Sequence, residues 1–128
     1  MAKVIGSVDL RGRPVIRIDG KHESLLFVVD TGFNGALMVG REAARALAID
    51  PITRETDVEL GDGKTVLVNE GRATIQWMGQ SRRVRVFVSN DWLPFGDDPV
   101  GLLGTDLLAP HLLLIDFASG LVEIETQE

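Results

Sequence analysis

The fold is decided by the stretch Leu25-Leu26-Phe27-Val28-Val29-Asp30-Thr31-Gly32. Its apolar residues are bulky or β-branched, which predicts a buried strand. An acid directly after such a strand is expected at the rim of the core rather than on a fully solvated surface. Thr31 can donate a short-range hydrogen bond, and Gly32 permits a sharp turn with a positive φ angle. The stretch therefore predicts a strand that delivers one carboxylate to the edge of the core.

A second motif, Leu102-Leu103-Gly104, lies well downstream of Asp30-Thr31-Gly32. Together the two motifs resemble the signature of the retropepsin-like aspartic proteases, the single-lobed, dimeric relatives of pepsin. The longer runs over residues 29–35 and 102–108 resemble prokaryotic members of that clan. The resemblance implies an all-β fold, a closed β-barrel equivalent to one acid-protease half-lobe with one or two short helices. An Asp-x-Gly triplet most often just builds a turn, so an unrelated small β-barrel remains an alternative.

Composition narrows the class of protein. The chain has 128 residues, which favours one domain over residues 1–128 with a modest core. It has no cysteine, so disulfides, thiolate metal sites and cysteine nucleophiles are excluded. The formal charge of −6 disfavours nonspecific nucleic-acid binding, although Arg82, Arg83 and Arg85 form one local basic cluster. Arg83 and Arg85 are predicted to point outward and are interpreted as solubilising charge. There is no signal-peptide pattern and no stretch long enough to span a membrane, so we expect a cytoplasmic protein that binds neither membrane nor nucleic acid.

Glycines and prolines at regular intervals between short apolar runs favour strands over helices. The clearest helix is predicted over residues 41–48, and a shorter one is predicted after Gly104, capped by Thr105 or Asp106. Residues 73–78 and 82–89 alternate well enough to predict two further strands. The apolar ends of the chain, at residues 4–5 and 121–124, are predicted to be edge strands.

A hairpin is predicted where two apolar runs flank Gly61-Asp62-Gly63. In retropepsin-like proteases the hairpin between the two motifs is the flap that closes over the substrate. The resemblance therefore implies substrate contacts from Gly61, Asp62 and Gly63. Hairpins are common in any β protein. It is the position of this hairpin, between the two motifs, that favours its interpretation as the flap.

The resemblance also implies the chemistry. Aspartic proteases need two carboxyl groups that share one proton. The two groups are so close together that repulsion between like charges prevents both from being ionised at once. This chain has one Asp-Thr-Gly motif, so the site requires a homodimer in which each subunit contributes Asp30. The substrate would be an extended peptide or protein segment, and no cofactor or metal is needed. The alternative is a non-catalytic dimerisation or peptide-binding module of the same fold.

The family roles carry over to the remaining motif residues. Thr31 would hydrogen-bond across the two-fold axis, and Gly32 would allow close backbone approach with its N–H facing the carboxylate. Leu102 and Leu103 would pack under the motif loop, while Gly104 leaves room for it. The chain departs from the family at Phe33-Asn34, where many relatives have Ala or Ser and then a small polar residue. A seryl hydrogen bond to the outer carboxylate oxygen is therefore absent.

Other acids and histidines carry weaker signals. Asp106 is the next most suggestive carboxylate, but helix capping explains it without catalysis. His22 and His111 have no ligand spacing around them, so each is interpreted as a surface or packing residue rather than a metal ligand.

Overall fold

The described residues form a ten-stranded β-sheet with two short helices. The computed structural model describes residues 2–50, 54–59, 63–89 and 99–127. The strands are β1 (Lys3–Val8), β2 (Pro14–Asp19), β3 (Ser24–Val29), β4 (Leu37–Val39), β5 (Arg54–Glu59), β6 (Thr65–Trp77), β7 (Gln80–Ser89), β8 (Gly101–Leu103), β9 (Leu112–Asp116) and β10 (Leu121–Glu125). The helices are α1 (Arg41–Ala46) and α2 (Thr105–Leu108). The predicted all-β fold with one or two short helices is confirmed.

Six strands close into a barrel in the order β2, β3, β8, β4, β7 and β6. Closure occurs where Asp19 of β2 pairs with Gln76 of β6. Alternate residues of these strands are buried in the barrel, among them Phe27, Leu37 and Val86, none of which has measurable exposure. The main core therefore lies inside the barrel, as the alternation of apolar residues in the sequence predicts.

Two groups of strands extend the barrel. β5 pairs with the first half of β6, forming an outer hairpin. β1 leaves β2 and pairs with β10, which in turn pairs with β9. The predicted edge position of the C-terminal strand is wrong, because β10 is paired on both sides. β9 forms the edge of the sheet instead.

Three local predictions differ from the structure. α1 ends at Ala46, because Ala48 adopts a left-handed backbone with a φ of 54°. Residues 65–77 form one continuous strand, whereas the sequence predicts a hairpin strand over residues 64–68 and a separate strand over residues 73–78. The single strand forms because β6 pairs with β5 in its first part and with β7 from Val68 to Trp77. The N-cap position of α2 is Gly104 and no side chain caps it, so neither Thr105 nor Asp106 has the predicted capping role.

Neither helix in the described part of the chain has the length and apolar character needed to cross a membrane.

Candidate active site

β8 positions the Asp30 loop by lying between β3 and β4. Leu102 pairs with Val28 in a parallel ladder on one side and with Met38 in an antiparallel ladder on the other. At the end of the parallel ladder, the backbone N–H of Asp30 donates to the carbonyl oxygen of Leu103 at 2.8 Å. The two motifs of the sequence are thus joined directly, and the second motif fixes where the first strand ends.

The Asp30 loop is a tight turn with its carboxylate held from within. The backbone N–H of Gly32 donates to Asp30 Oδ1 at 2.9 Å, and the N–H of Phe33 donates to the Asp30 carbonyl at 3.1 Å. Gly32 does not have the predicted positive φ; Gly12, Gly63, Gly79 and Gly120 do. Asp30 is half-buried, whereas Thr31 and Gly32 are exposed. This face of the turn is exposed to solvent in the single chain.

The segment after the loop is bound to the start of α2 by backbone hydrogen bonds. Gly104 N–H donates to the Ala36 carbonyl at 2.9 Å, and Thr105 N–H donates to the Phe33 carbonyl at 2.9 Å. A Cβ atom at position 104 would overlap the carbonyl oxygens of Gly35 and Phe33. Only glycine allows this approach, so the third residue of the second motif leaves room for the Asp30 loop.

Phe33 is part of a small second core beneath the loop. Its side chain is fully buried and meets Phe87 edge to face, with ring centroids 6.1 Å apart. The cluster also contains Met38, Val68 and Leu102, with Val28 and Val58 packed against it. The residue after the motif therefore supplies apolar packing to the loop.

The predicted flap hairpin is connected to this same cluster. Its strands pair from Arg54 with Glu70 to Glu59 with Thr65. Val58 of β5 lies one pair from the last described pair of the hairpin, and Val68 of β6 lies midway along it. Both belong to the cluster of Phe33, so the hairpin and the Asp30 loop share one apolar cluster. Gly61 and Asp62 lie outside the described residues. Gly63 is exposed, with a φ of 84°.

Two other acids have well-defined partners in turns. Asp9 accepts the backbone N–H groups of Arg13 and Arg11, each at 2.9 Å, and pairs with Arg13 Nε at 2.9 Å. The backbone N–H of Arg13 is the largest cause that lowers the pKa of Asp9. The hydroxyl of Ser119 is the largest cause that lowers the pKa of Asp116. Both acids are explained by turn formation.

Within the described residues, no group of three or more histidines and acids could hold a metal ion. His111 lies against Trp77, with ring centroids 6.1 Å apart. The sequence did not indicate this contact, because the two residues are distant in the chain and neither belongs to a motif.

The fold is similar to that of a retropepsin-like aspartic protease from Rickettsia conorii, known from a crystal structure. The match has a TM-score of 0.61 and 20% sequence identity, and it covers 95% of this chain and 89% of that chain. The fold is retropepsin-like. At this identity the likeness establishes the retropepsin-like fold alone and not the activity. No protein-family model and no curated protein sequence matches the chain.

Proposed function

We propose that the protein is an aspartic endopeptidase that acts as a homodimer. The observation that carries the proposal is the placement of Asp30. Its carboxylate is half-buried at the end of β3 and accepts the Gly32 N–H, and its backbone is bound to Leu103. Asp9 and Asp116 make the same kind of turn contact, but Asp30 differs from both because it follows a buried strand of the barrel and its amide is bound to the second motif.

In this proposal the two Asp30 carboxylates of the dimer share one proton, because two adjacent negative charges repel. The ionised carboxylate takes a proton from a water molecule as the water oxygen attacks the carbonyl carbon of the peptide bond. The protonated carboxyl donates its proton to the carbonyl oxygen. The amide nitrogen then takes the proton that came from the water, and one hydroxyl of the tetrahedral species returns a proton to the other carboxylate as the C–N bond breaks. The pair of carboxylates again holds one proton. Gly32 N–H holds one carboxylate oxygen in place throughout.

A second copy is required because one chain has only one Asp-Thr-Gly motif. The surface of the described residues has apolar side chains that a second copy could cover. All of its exposed large hydrophobic residues except Leu67 lie in residues 5–10 or 112–117. Ile5 is 63% and Leu114 43% exposed, and both pair with Glu123, so they share the outer face of the β1, β10 and β9 strands. This face and the open edge of β9 are our candidates for the subunit contact.

The substrate we propose is an extended peptide. It would lie between the Asp30 loop and the β5–β6 hairpin, with main-chain hydrogen bonds along its length and side chains in alternate pockets. The shared packing of Val58, Val68 and Phe33 supports this position, because it holds the described part of the hairpin on the same side of the barrel as the loop. Gly61, Asp62 and Gly63 are the proposed flap tip.

The direct test is cleavage of a peptide library by wild type and by Asp30→Asn, between about pH 3 and pH 8, the range over which carboxylates and histidines titrate. We expect the variant to lose activity by about a thousandfold or more, since it removes the group that activates water. Asp106→Asn is the matched control, because Asp106 is an exposed acid two residues after the second motif. It should cleave at the wild-type rate, and both variants should have wild-type circular dichroism spectra.

Equal cleavage by Asp30→Asn and wild type would show that Asp30 is not the catalytic acid. If wild type neither cleaves the library nor binds a statine-type transition-state mimic, the fold serves as a non-catalytic peptide-binding or dimerisation module.

A further inference from the structure

A cavity lies at the end of the barrel opposite to Asp30. The pairing of Asp19 with both Ser24 of β3 and Gln76 of β6 places the end of β6 beside the start of β3. Asp30 follows the other end of β3, about 20 Å of strand away. Trp77, the last residue of β6, is therefore at the end of the barrel that the proposed active site does not use.

This cavity, named here the Trp77 cavity, has a volume of about 270 Å³ and is lined chiefly by Trp77, Ser81, Arg82 and His111. Pockets that enclose drug-sized ligands are typically about 300–1,000 Å³, so a cavity of this size suits a smaller molecule.

Two buried nitrogens of the lining residues have no hydrogen-bond partner within the described residues: Trp77 Nε1 and His111 Nδ1. Trp77 is only 4% exposed, and its indole nitrogen can only donate. Buried donors without an acceptor are rare in folded proteins, because desolvation is then not offset. The Nε1 atom has almost no accessible surface, so an acceptor from outside the chain would satisfy this donor once the Trp77 side chain shifts toward the cavity.

Arg82 brings a positive charge to the same place. In the β6–β7 ladder Arg82 lies opposite Ile75, two residues before the buried Val84, so it is on the same face of β7 as the residues inside the barrel. It is itself exposed, because it lies at the end of the barrel. The neighbouring arginines of β7 do form ion pairs, Arg83 with Asp50 and Arg85 with Glu70. No ion pair of Arg82 is formed within residues 2–50, 54–59, 63–89 and 99–127. Burial first, and then the charge of Arg82, lower the pKa of His111, which is consistent with an Arg82 guanidinium that faces the imidazole.

We propose that the Trp77 cavity binds the carboxylate of a small organic acid. The planar guanidinium of Arg82 can donate two parallel hydrogen bonds to a carboxylate, and a shift of the Trp77 side chain on binding would let its indole N–H donate a third. The aromatic rings of Trp77 and His111 provide apolar walls for the rest of the molecule. A carboxylate suits the cavity better than a phosphate, because Arg82 is the one fixed positive charge among the lining residues and the chain as a whole has a net charge of −6. This site is separate from the proposed peptidase site and does not depend on it.

The test follows the indole N–H signal of Trp77 in ¹H–¹⁵N correlation spectra during titration with benzoate. Benzamide is the matched ligand control, because it has the same ring and nearly the same shape but no charge. The sequence has two tryptophans, so the signal is assigned from the spectrum of Trp92→Phe. We expect benzoate to shift the Trp77 signal saturably, and benzamide to shift it little.

Arg82→Gln should weaken benzoate binding by about tenfold or more, because it replaces a charge-assisted hydrogen bond with a neutral one. Arg83→Gln should leave benzoate binding unchanged, because Arg83 lies on the opposite face of β7. Three results would each overturn the proposal. Benzoate and benzamide could shift the Trp77 signal equally, or Arg82→Gln and Arg83→Gln could lose equal benzoate affinity. Inorganic phosphate alone could also saturate the Trp77 signal. The comparison of benzoate with benzamide uses the wild-type protein, so it does not depend on the folding of either variant.

Discussion

The backbone N–H of Asp30 donates to the carbonyl oxygen of Leu103 at 2.8 Å, so the acid of the first motif is bound to the middle of the second. The bond extends the parallel pairing of β3 with β8 by one step beyond Val29 and Leu103. Because the Asp30 amide is fixed in this way, the direction in which its carboxylate leaves the barrel depends on the packing of β8.

Gly104→Ala should destabilise the fold by about 3 kcal/mol, the upper end of what overpacking costs, because the new Cβ would overlap the backbone carbonyls of Phe33 and Gly35. Gly40→Ala is the control. Gly40 precedes α1, no atom outside its neighbours lies within 4 Å of the added Cβ, and its φ is −83°. The control should cost less than about 1 kcal/mol. Urea unfolding measures both, and equal effects would show that the approach of Gly104 to the loop is unimportant.

Phe33→Ala should lower the free energy of unfolding by about 3–5 kcal/mol, because it empties the centre of the second core. Phe33→Leu retains most of the apolar volume and should cost less than about 1.5 kcal/mol. If peptidase activity is found, Phe33→Ala should reduce it even at temperatures where the variant is folded. The reason is that the Asp30 loop and the β5–β6 hairpin both contribute to the apolar cluster of Phe33. A Phe33→Ala protein as stable as wild type would show that Phe33 is not the centre of the second core.

Stability should depend on pH through His111. Burial and Arg82 lower its pKa from the ordinary value of 6.5, so the folded state disfavours the protonated imidazole. The unfolded chain therefore binds more protons in the window just below that value, and stability should fall as the pH falls through it. His111→Phe should remove this part of the pH dependence, while His22→Phe, at an exposed site, should retain it. Identical profiles of the thermal midpoint against pH in wild type and His111→Phe would contradict the prediction.

Leu114→Lys should weaken the proposed dimer. The new charge lies on the outer face of β9, where burial against a second copy would desolvate it. Leu67→Lys is the control, since Leu67 is similarly exposed, at 45% against 43%, but belongs to the β5–β6 hairpin. Sedimentation equilibrium at micromolar concentration should give monomer for Leu114→Lys and dimer for both wild type and Leu67→Lys. A dimer in all three would place the subunit contact elsewhere.

The sequence predicted the parts of this structure that depend on local patterns. Alternating apolar residues located β7, and the bulky run before Asp30 located β3. Family resemblance linked Leu102-Leu103-Gly104 to the Asp30 loop, and these residues do lie together. The predicted closed barrel is confirmed, although no local pattern shows that β2 closes onto β6.

The features that the sequence did not predict depend on contacts between distant residues. The alternation in β10 is the same whether the strand is an edge or is paired on both sides, and the edge prediction was therefore wrong. From the sequence, Phe33 indicated only that the seryl hydroxyl of some relatives is absent after the motif. Its contact with Phe87 was not predicted, because that contact depends on how β4 and β7 pair. The position of Arg82 beside His111 depends on the ladder register, which a cluster of arginines in sequence does not reveal.

The shared active site is tested most directly by mixing subunits. Wild type and Asp30→Asn are unfolded and refolded together at fixed total concentration, with random pairing, and peptide cleavage is measured against the wild-type fraction. If each site needs Asp30 from both subunits, activity should fall as the square of that fraction, to about one quarter when half of the chains are wild type. Mixing with Asp106→Asn, which retains the motif, should leave activity unchanged. A linear fall, to about one half at equal mixing, would mean that each chain acts alone and would contradict the dimeric dyad.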